Sequence, residues 1–429
     1  MTSIQSANLF RHLFSYECAK SIDFTLTDSP YVCEFNTEQM HLNKSGDVLA
    51  IGCQSGLLQL NKVQEGQDDT VHSELLCKLE PHKNAVMTMC WMPVSPYNYL
   101  YTAGADRSLY IYDVSTQQVV NRIRPNINGY INTINTSRDN CNIILAAGTG
   151  GVVNMFDLRC SKKQNTYPPI QYIDMNAECF SGGHRTCSQL ASITGITFID
   201  YGLQTIGVST LNDSLFRIFD IRRTYMIKRN MPIEKLQIYT DEPCRYHDHH
   251  LSVSDGISCM TANSRQLRYF FNTVNEHLVQ YLLSGSPVED YDYVRSESCR
   301  LRIFYNDQMP LLTKNRGKIT SDFRNFVFTT NGHDNIVRAN CITVSKQSSD
   351  DPNITRSNSP LVAIRAGNDA LTSISVSSTG VIATCSNDMC VYLIAPSGKQ
   401  VDLSSLDFSG CLHNGNLYHS LRRQQCAYY

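Results

Sequence analysis

The sequence predicts an all-β protein, a seven-bladed β-propeller with a short N-terminal helix and elaborated loops between the blades. The chain has 429 residues, of which 42% are hydrophobic and 18% charged, which is enough apolar material for a large core. A pattern of a strand, a tight turn and a second strand recurs along the chain at a long interval. This recurrence is typical of propellers, in which each blade buries its faces against its neighbours.

The clearest unit of the repeat is LYTAGADRSLYIYDV, which runs from Leu100 to Val114. It has the pattern of two strands joined by a tight turn, and the second strand ends in the aromatic-Asp pair Tyr112 and Asp113. Another alternating apolar stretch, HKNAVMTMCWMP, precedes it and begins at His82. The order of a His, an Asp and an aromatic-Asp pair is typical of a WD repeat.

The same frame fits six more segments, so we expect seven blades. The positions equivalent to Tyr112 in these segments are Asn61, Phe156, Phe219, Tyr281, Asn340 and Ile394. Five of the six intervals between successive positions are longer than the roughly 40–45 residues of a WD repeat. We therefore expect the excess residues to form polar inserts, the last of them mobile, at about residues 160–188, 223–255, 284–318 and 345–360.

Three polar residues of the clearest unit are spaced to form one hydrogen-bonded chain. They are His82 before the first strand, Thr102 on the second strand and Asp106 in the turn that follows. A buried network that fixes the turn is the expected role. The alternative is an acid–base pair of His82 and Asp106.

Two consecutive blades end in nearly the same four residues. The two motifs are Phe156-Asp157-Leu158-Arg159 and Phe219-Asp220-Ile221-Arg222. We expect the aromatic residue to pack between blades, the Asp to hydrogen-bond the following turn, and the Arg to emerge at one rim. A guanidinium offers five donors in a rigid fork and suits carboxylates or carbonyls of a partner protein. The alternative is an Arg held in a salt bridge within the chain.

The segment FDLRCSKK, from Phe156 to Lys163, resembles the end of a blade in the denticleless family. Other stretches resemble that family in the same order, including DVLAIGCQSGLLQL from Asp47, FRIFDIRRTY from Phe216 and IATCSND from Ile382. These proteins are WD-repeat substrate receptors of cullin-4 RING ubiquitin ligases. The family carries Trp where this chain has Phe in both motifs, which keeps an aromatic plug but lacks the indole N–H donor.

The resemblance implies a definite function and a definite set of partners. It implies docking on the damage-specific DNA-binding protein adaptor and the cullin-4 scaffold through Arg159 and Arg222, together with the Phe and Asp residues of their two motifs. It also implies a location in the nucleus, or in both nucleus and cytoplasm. Degron-bearing replication and cell-cycle proteins, held on the sliding clamp, would be the clients. The ending QQCAYY lacks a Gln and an aliphatic residue at the offsets that a clamp-binding motif needs, so we do not expect it to bind the clamp. The alternative is a WD-repeat scaffold of another complex.

The expected domains are a leader of residues 1–30, a propeller of residues 31–400 and a C-terminal segment of residues 401–429 that is a candidate to complete a blade. The leader has an apolar helical face, which either packs on the propeller or contacts a partner. Its residues are Leu9, Phe10, Leu13 and Phe14.

Several classes of function are not expected from this sequence. The net charge of -2 disfavours direct nucleic-acid binding, and no apolar run is long enough to cross a membrane. The 17 cysteines form no CxxC pair, which favours free thiols in a reducing compartment. The cluster Cys244–His250 lacks the paired spacing of zinc sites, so no metal and no cofactor are expected. No catalytic motif is present, so the protein is predicted not to be an enzyme.

Overall fold

The structure is a computed structural model. In the part of the chain that it describes, the secondary-structure elements are 28 β-strands. The described residues are 16–25, 28–36, 47–65, 70–92, 99–125, 127–137, 140, 142–160, 169, 171–176, 190–199, 205–212, 215–221, 232, 234–237, 256–263, 268–273, 278–282, 301–305, 326–330, 335–341, 354–358, 362–377 and 379–396. The strands are β1 (Tyr16–Asp23), β2 (Pro30–Phe35), β3 (Asp47–Cys53), β4 (Leu58–Glu65), β5 (Val71–Leu79), β6 (Val86–Trp91), β7 (Tyr99–Gly104), β8 (Leu109–Asp113), β9 (Gln118–Ile123), β10 (Ile131–Thr136), β11 (Ile143–Gly148), β12 (Val152–Asp157), β13 (Gln171–Asp174), β14 (Ile193–Phe198), β15 (Thr205–Thr210), β16 (Leu215–Asp220), β17 (Glu234–Gln237), β18 (Ile257–Asn263), β19 (Arg268–Thr273), β20 (Leu278–Leu282), β21 (Leu301–Tyr305), β22 (Phe326–Thr329), β23 (Ile336–Cys341), β24 (Ile354–Asn358), β25 (Val362–Arg365), β26 (Leu371–Val376), β27 (Ile382–Ser386) and β28 (Cys390–Pro396).

These strands form seven separate sheets, one for each predicted blade, which confirms the all-β propeller fold. Blades 1 to 4 are the antiparallel sheets β2–β5, β6–β9, β10–β13 and β14–β17. Blade 5 consists of β18–β21 with β24 added in parallel to β21, and blade 6 consists of β22, β23 and β25. Blade 7 consists of β26, β27 and β28 together with β1.

The strand register follows the repeat frame that the sequence predicts. In each blade the position equivalent to Tyr112 faces an apolar residue across an antiparallel pair of strands. The seven pairs are Leu49–Asn61, Leu100–Tyr112, Ile144–Phe156, Ile206–Phe219, Tyr269–Tyr281, Val327–Asn340 and Ile382–Ile394. The register of a strand is fixed wherever a one-residue slip would turn buried side chains to the other face.

Blade 7 is completed by the strand nearest the N-terminus, and this corrects the predicted domain boundaries. β1 pairs antiparallel with β28, from Tyr16–Pro396 to Asp23–Cys390. The predicted leader of residues 1–30 therefore contains a strand of the propeller, and β1 takes the place considered for residues 401–429. The pairing buries Tyr16, whose hydroxyl donates to the carbonyl of Gly380 at 2.8 Å. Residues 401–429 lie outside the described part of the chain.

The predicted inserts also contain strands, which is a second correction. β13, β17 and β21 are the fourth strands of blades 3, 4 and 5, and each lies within one of the segments assigned to polar inserts. The last insert, expected to be mobile, contains β24, which extends blade 5. These short strands cover only one edge of a sheet, so their sequences need no continuous apolar pattern.

The hydrophobic core is divided among the interfaces between blades. One cluster joins residues of blades 2 and 3, including Tyr101 and Ile144, and another joins residues of blades 3 and 4, including Leu145 and Val208. The first strands β26, β2, β6, β10, β14 and β18 lie next to one another in that order. They therefore form the inner wall of the ring. No helix in the described residues is long and apolar enough to cross a membrane.

Candidate functional site

The predicted polar chain of blade 2 is assembled around His82. Its Nδ1 lies 3.0 Å from Oδ1 of Asp106, and its Nε2 lies 2.9 Å from Oγ1 of Thr102. An ionised carboxylate only accepts hydrogen bonds, so Nδ1 donates to Asp106. His82 and Thr102 are both buried. The arrangement links the loop before β6 to β7 and to the turn before β8.

Asp106 also holds the turn through backbone groups. Its carboxylate accepts from the N–H of Ser108 at 3.1 Å and from the N–H of Lys83 at 3.3 Å. Burial acts to raise the pKa of Asp106, but the hydrogen bond and charge of His82 and the two backbone donors outweigh it and lower that pKa. The carboxylate thus holds the backbone of the turn through hydrogen bonds, which is the role of a structural network.

Two neighbours that the sequence did not single out complete this cluster. The ring of Tyr110 packs edge-on against His82, with 4.6 Å between the ring centroids. The guanidinium of Arg122 lies 5.2 Å from the centroid of the Tyr110 ring and donates to Oγ of Ser108 at 2.9 Å. Tyr110 thus packs against the imidazole ring, and Arg122 packs in turn against Tyr110. In the sequence, the signal for this cluster was Tyr110, a residue with a hydroxyl group two positions before Tyr112.

The turn after β12 holds the first Asp-x-Arg motif. The guanidinium of Arg159 lies across the carboxylate of Asp157, with Nη2 to Oδ2 at 2.6 Å and Nε to Oδ1 at 2.9 Å. The backbone N–H of Arg159 donates to the same Oδ1 at 2.9 Å. Hydrogen bonding from Arg159 therefore lowers the pKa of Asp157, although partial burial opposes the shift. The salt bridge that the sequence left as an alternative is present.

This ion pair leaves Arg159 accessible at the surface. The Arg159 side chain is 61% exposed, whereas that of Asp157 is 13% exposed. The fork of two hydrogen bonds fixes the guanidinium plane, because a planar guanidinium and a carboxylate match only in a few orientations. The structure therefore presents an oriented cation at the end of blade 3.

The aromatic residues of both motifs lie at interfaces between blades. Phe156 is fully buried in the cluster shared by blades 2 and 3, and Phe219 in the cluster shared by blades 3 and 4. Asp220 is buried at the end of β16, in the same place in its sheet as Asp157. Arg222 lies outside the described residues, as do the leader residues Leu9, Phe10, Leu13 and Phe14.

Blade 2 has the same turn without an arginine. Asp113 ends β8 and its Oδ1 accepts from the N–H of Ser115 at 2.9 Å, as Asp157 accepts from Arg159. Ser115 thus occupies the place of Arg159 and is exposed. In both blades the Asp carboxylate closes the turn by accepting from the backbone N–H two residues later, so the turn forms without an arginine side chain.

A cavity of about 220 Å³ opens on the axis of the ring, inside the first strands. Its lining comes from six different sheets, and none of these residues carries a formal charge. The lining residues are Ser29, Pro30, Tyr31, Gln54, Met87, Asn132, Thr194, Ser258, Cys259, Thr372 and Asn387. Sequence reasoning did not find this cavity, because no linear motif marks its wall.

The cavity wall is built by one irregularity that recurs in six blades. The register of each first strand shifts at its second residue, which is a β-bulge. A bulge places an extra residue in one strand and re-aims its side chain. The six residues at these shifts all line the cavity: Tyr31, Met87, Asn132, Thr194, Ser258 and Thr372.

The cavity and Arg159 lie at opposite ends of the sheets. In blade 3 the start of β10 pairs with the end of β11, at Gly148, whereas Asp157 pairs with Ile143 at the start of β11. Six residues of an extended strand span roughly 17–20 Å. Arg159 and the cavity therefore lie on different faces of the propeller.

The fold and the strand register define a WD-repeat β-propeller. The family model described as nucleolar protein 10-like, N-terminal domain, a β-propeller, matches residues 88–296. No group of three or more potential metal ligands occurs in the described part of the chain, and Cys244–His250 lies outside it.

The chain is similar to proteins named denticleless protein homolog. It is 23% identical to the zebrafish protein over 287 residues, which cover 64% of this chain and 41% of that protein. It is 20% identical to the human protein, over 64% of this chain and 38% of that protein, and 23% identical to homolog A of Xenopus laevis, over 48% of this chain and 29% of that protein. The matches therefore span less than half the length of these relatives. The predicted resemblance to the denticleless family is confirmed at this level of identity.

Proposed function

We propose that this chain is a substrate receptor of a cullin-4 RING ubiquitin ligase. It docks on the damage-specific DNA-binding protein adaptor and recruits replication and cell-cycle proteins for ubiquitin-dependent degradation in the nucleus. The observation that carries the proposal is the oriented, exposed Arg159 at the end of blade 3, in a chain similar to the denticleless proteins. In this role the chain binds the adaptor and the client proteins and does not itself catalyse a reaction.

The geometry of the Arg159 turn supports docking. Asp157 already holds the guanidinium in one orientation, so little side-chain entropy is lost when a partner binds it. The same turn in blade 2 is closed by Asp113 with Ser115 and no arginine, so folding of the turn does not explain the side chain. An arginine that is exposed, oriented and not required by its turn fits an anchor in a protein interface.

The test is binding of the purified chain to the purified adaptor. Arg159→Ala and Arg222→Ala should each weaken binding by about 2 kcal/mol, which is about 30-fold, and the double variant should abolish co-purification. Arg159→Lys should also weaken binding, because it keeps the charge but loses the fork. Binding is measured by surface plasmon resonance and pull-down with adaptor and cullin-4.

The matched control is Ser115→Ala, which changes the equivalent exposed position of blade 2. It should bind like the wild type, and all variants should unfold at the wild-type temperature. A double Arg variant that binds with wild-type affinity, or a wild type that does not bind the adaptor, refutes the ligase assignment.

A second candidate is a scaffold of another nuclear complex. The match to the nucleolar protein 10-like family model over residues 88–296 favours it. The two candidates differ in one measurement, because a scaffold without ligase linkage does not co-purify with the adaptor. In that case affinity purification of the chain should recover a stable complex without cullin-4.

A further inference from the structure

Two pairs of apolar side chains are exposed on the outer edges of blades 1 and 2. The leucine pair of β5 consists of Leu75 and Leu76, which are 51% and 38% exposed. The valine pair of β9 consists of Val119 and Val120, which are each 47% exposed. The two pairs have the same place in their blades, because Leu75 and Val119 both lie opposite the position equivalent to Tyr112. Together they are four of the six large hydrophobic side chains that are exposed among the described residues.

A β-bulge lies at each pair. The register with the neighbouring strand shifts there, and Leu76 and Val120 are the extra residues of their strands. A bulge interrupts the regular row of backbone groups on an edge strand, and natural sheets use bulges to prevent pairing with a further strand. These edges are therefore poorly suited to an added β-strand. Their apolar side chains remain accessible to the apolar face of a helix.

The outer edge of blade 1 lies beside the strand with which the described chain begins. β1 is in contact with β5, and Ile22 of β1 packs against the apolar cluster that contains Val71 of β5. Cys18 of β1 lies opposite the position of blade 7 that is equivalent to Tyr112, as Leu75 does in blade 1. Cys18 and Leu75 are therefore at the same level of neighbouring outer strands. The start of β1 is thus close to the leucine pair.

The segment that precedes β1 has the matching chemistry. Residues 1–15 lie outside the described residues, and their sequence predicts a helix with Leu9, Phe10, Leu13 and Phe14 on one face. A helix of about 12 residues is roughly 18 Å long, and so short a helix is marginal in water unless its apolar face packs against another surface. Phe14 is two residues from the start of β1, so the chain holds this apolar face near the leucine pair.

From these features we propose that residues 1–15 form a helix that packs on the outer edge of blade 1, with its leucines and phenylalanines against the leucine pair. Blade 1 separates blade 7 from blade 2, so the valine pair is not beside the leader. The inference goes beyond the proposed function. Of the two roles that the sequence leaves open for the leader, it selects packing on the propeller. The apolar face of the leader is then buried within the chain and is not available to a partner.

The first test is photo-cross-linking in the full-length chain. Phe10 is replaced by p-benzoylphenylalanine, which keeps an apolar aromatic side chain and on illumination bonds to the C–H groups that it touches. Mass spectrometry of tryptic peptides identifies the attachment sites. We expect cross-links within one chain to residues 71–79, with at least tenfold more product there than at residues 118–123 of blade 2.

Two matched double variants locate the surface. Leu75→Asp with Leu76→Asp should lower the yield of cross-link at least tenfold, because an unpaired carboxylate is costly to bury under the apolar face of the leader. Val119→Asp with Val120→Asp makes the same change on the valine pair and should leave the yield unchanged. All four side chains are exposed, so both double variants should keep the circular dichroism spectrum of the wild type.

A second test uses trypsin and no artificial residue. Cleavage after Arg11 requires the chain around it to open, so a packed leader protects that bond. Cleavage at this bond should be at least tenfold faster in the double variant of the leucine pair than in the wild type. It should proceed at the wild-type rate in the double variant of the valine pair. The products are identified by mass spectrometry.

Several results overturn the proposal. One is a main cross-link to β25, which also contacts β1, or to any other site outside blade 1. Another is a cross-link between two chains, detected by mixing isotopically light and heavy protein, because a second copy then covers the leucine pair. The proposal also fails if no cross-link forms, or if the double variant of the leucine pair changes neither the yield nor the rate of cleavage. None of these measurements contains the adaptor, so this proposal and the ligase assignment are tested separately.

Discussion

Replacement of His82 by Phe tests whether the polar chain of blade 2 stabilises the fold. The change removes both hydrogen bonds of the imidazole but keeps a ring that packs against Tyr110. Thr102 is fully buried and the Asp106 side chain is 7% exposed, so both lose a partner that water does not replace fully. A buried polar group left without its partner costs about 1–3 kcal/mol. With two such groups and partial relaxation, the free energy of unfolding should fall by about 3 kcal/mol.

The assay is urea unfolding followed by tryptophan fluorescence and circular dichroism. His72→Phe is the control, because His72 is exposed on β5 and forms a hydrogen bond of 3.1 Å with the exposed Thr70. It should change the free energy of unfolding by less than about 0.5 kcal/mol. Thr102→Val should cost less than His82→Phe, and the two losses should not add in the double variant. The reasoning would be refuted by a His82→Phe variant as stable as the His72→Phe control.

Three further predictions concern other parts of the fold. The pKa of Asp106 is lowered in the folded state, so its contribution is present above the ordinary aspartate pKa and is lost as pH falls through the lowered value. The difference in unfolding free energy between wild type and Asp106→Asn should shrink below about pH 4 in unfolding titrations, and a constant difference contradicts this. Ser375→Ala should lower the free energy of unfolding by about 1–3 kcal/mol, because Oγ of Ser375 accepts from the buried N–H of Phe35 at 2.9 Å where blade 7 meets blade 1. A variant that is as stable as the wild type in thermal unfolding contradicts this prediction. Gly148→Ala should lower the melting temperature, because its Cβ would overlap the carbonyl of Tyr130 beside the bulge of β10, and an unchanged melting temperature rejects that reason.

The sequence allowed the second and third strands of the blades to be predicted, but few of the fourth strands. The pair β7 and β8 is mostly buried and closes through a local turn, so its pattern is legible in a short window. The outer strand β9 is exposed over the first half of its length, and β13 has only four residues. A strand that covers one edge of a sheet needs little apolar pattern, which is why β13, β17 and β21 were assigned to inserts.

Ring closure and the cavity depend on contacts between residues far apart in the chain. β1 belongs to blade 7 only because it pairs with β28, and no local pattern in β1 specifies that partner. The cavity wall depends on a bulge at the same place in six first strands, and a bulge is a property of strand register. The turn at Arg159 was predictable, because Asp157 and Arg159 are two residues apart and their contact is local.

The packing of the blades fixes the positions of the Arg159 turn and the axial cavity relative to each other. β1 joins the N-terminal part of the chain to blade 7, and Ser373 and Ser375 of β26 accept hydrogen bonds from the backbone of β2, so blades 7 and 1 are bonded as well as packed. Blades 1 to 4 and blade 7 each lie between two neighbours, and a rotation of one of them would disrupt two buried interfaces. The distance between the Arg159 turn and the axial cavity is therefore set by the length of the strands. The proposed receptor function requires this property, because a client would have to lie at a constant place relative to the ligase that modifies it.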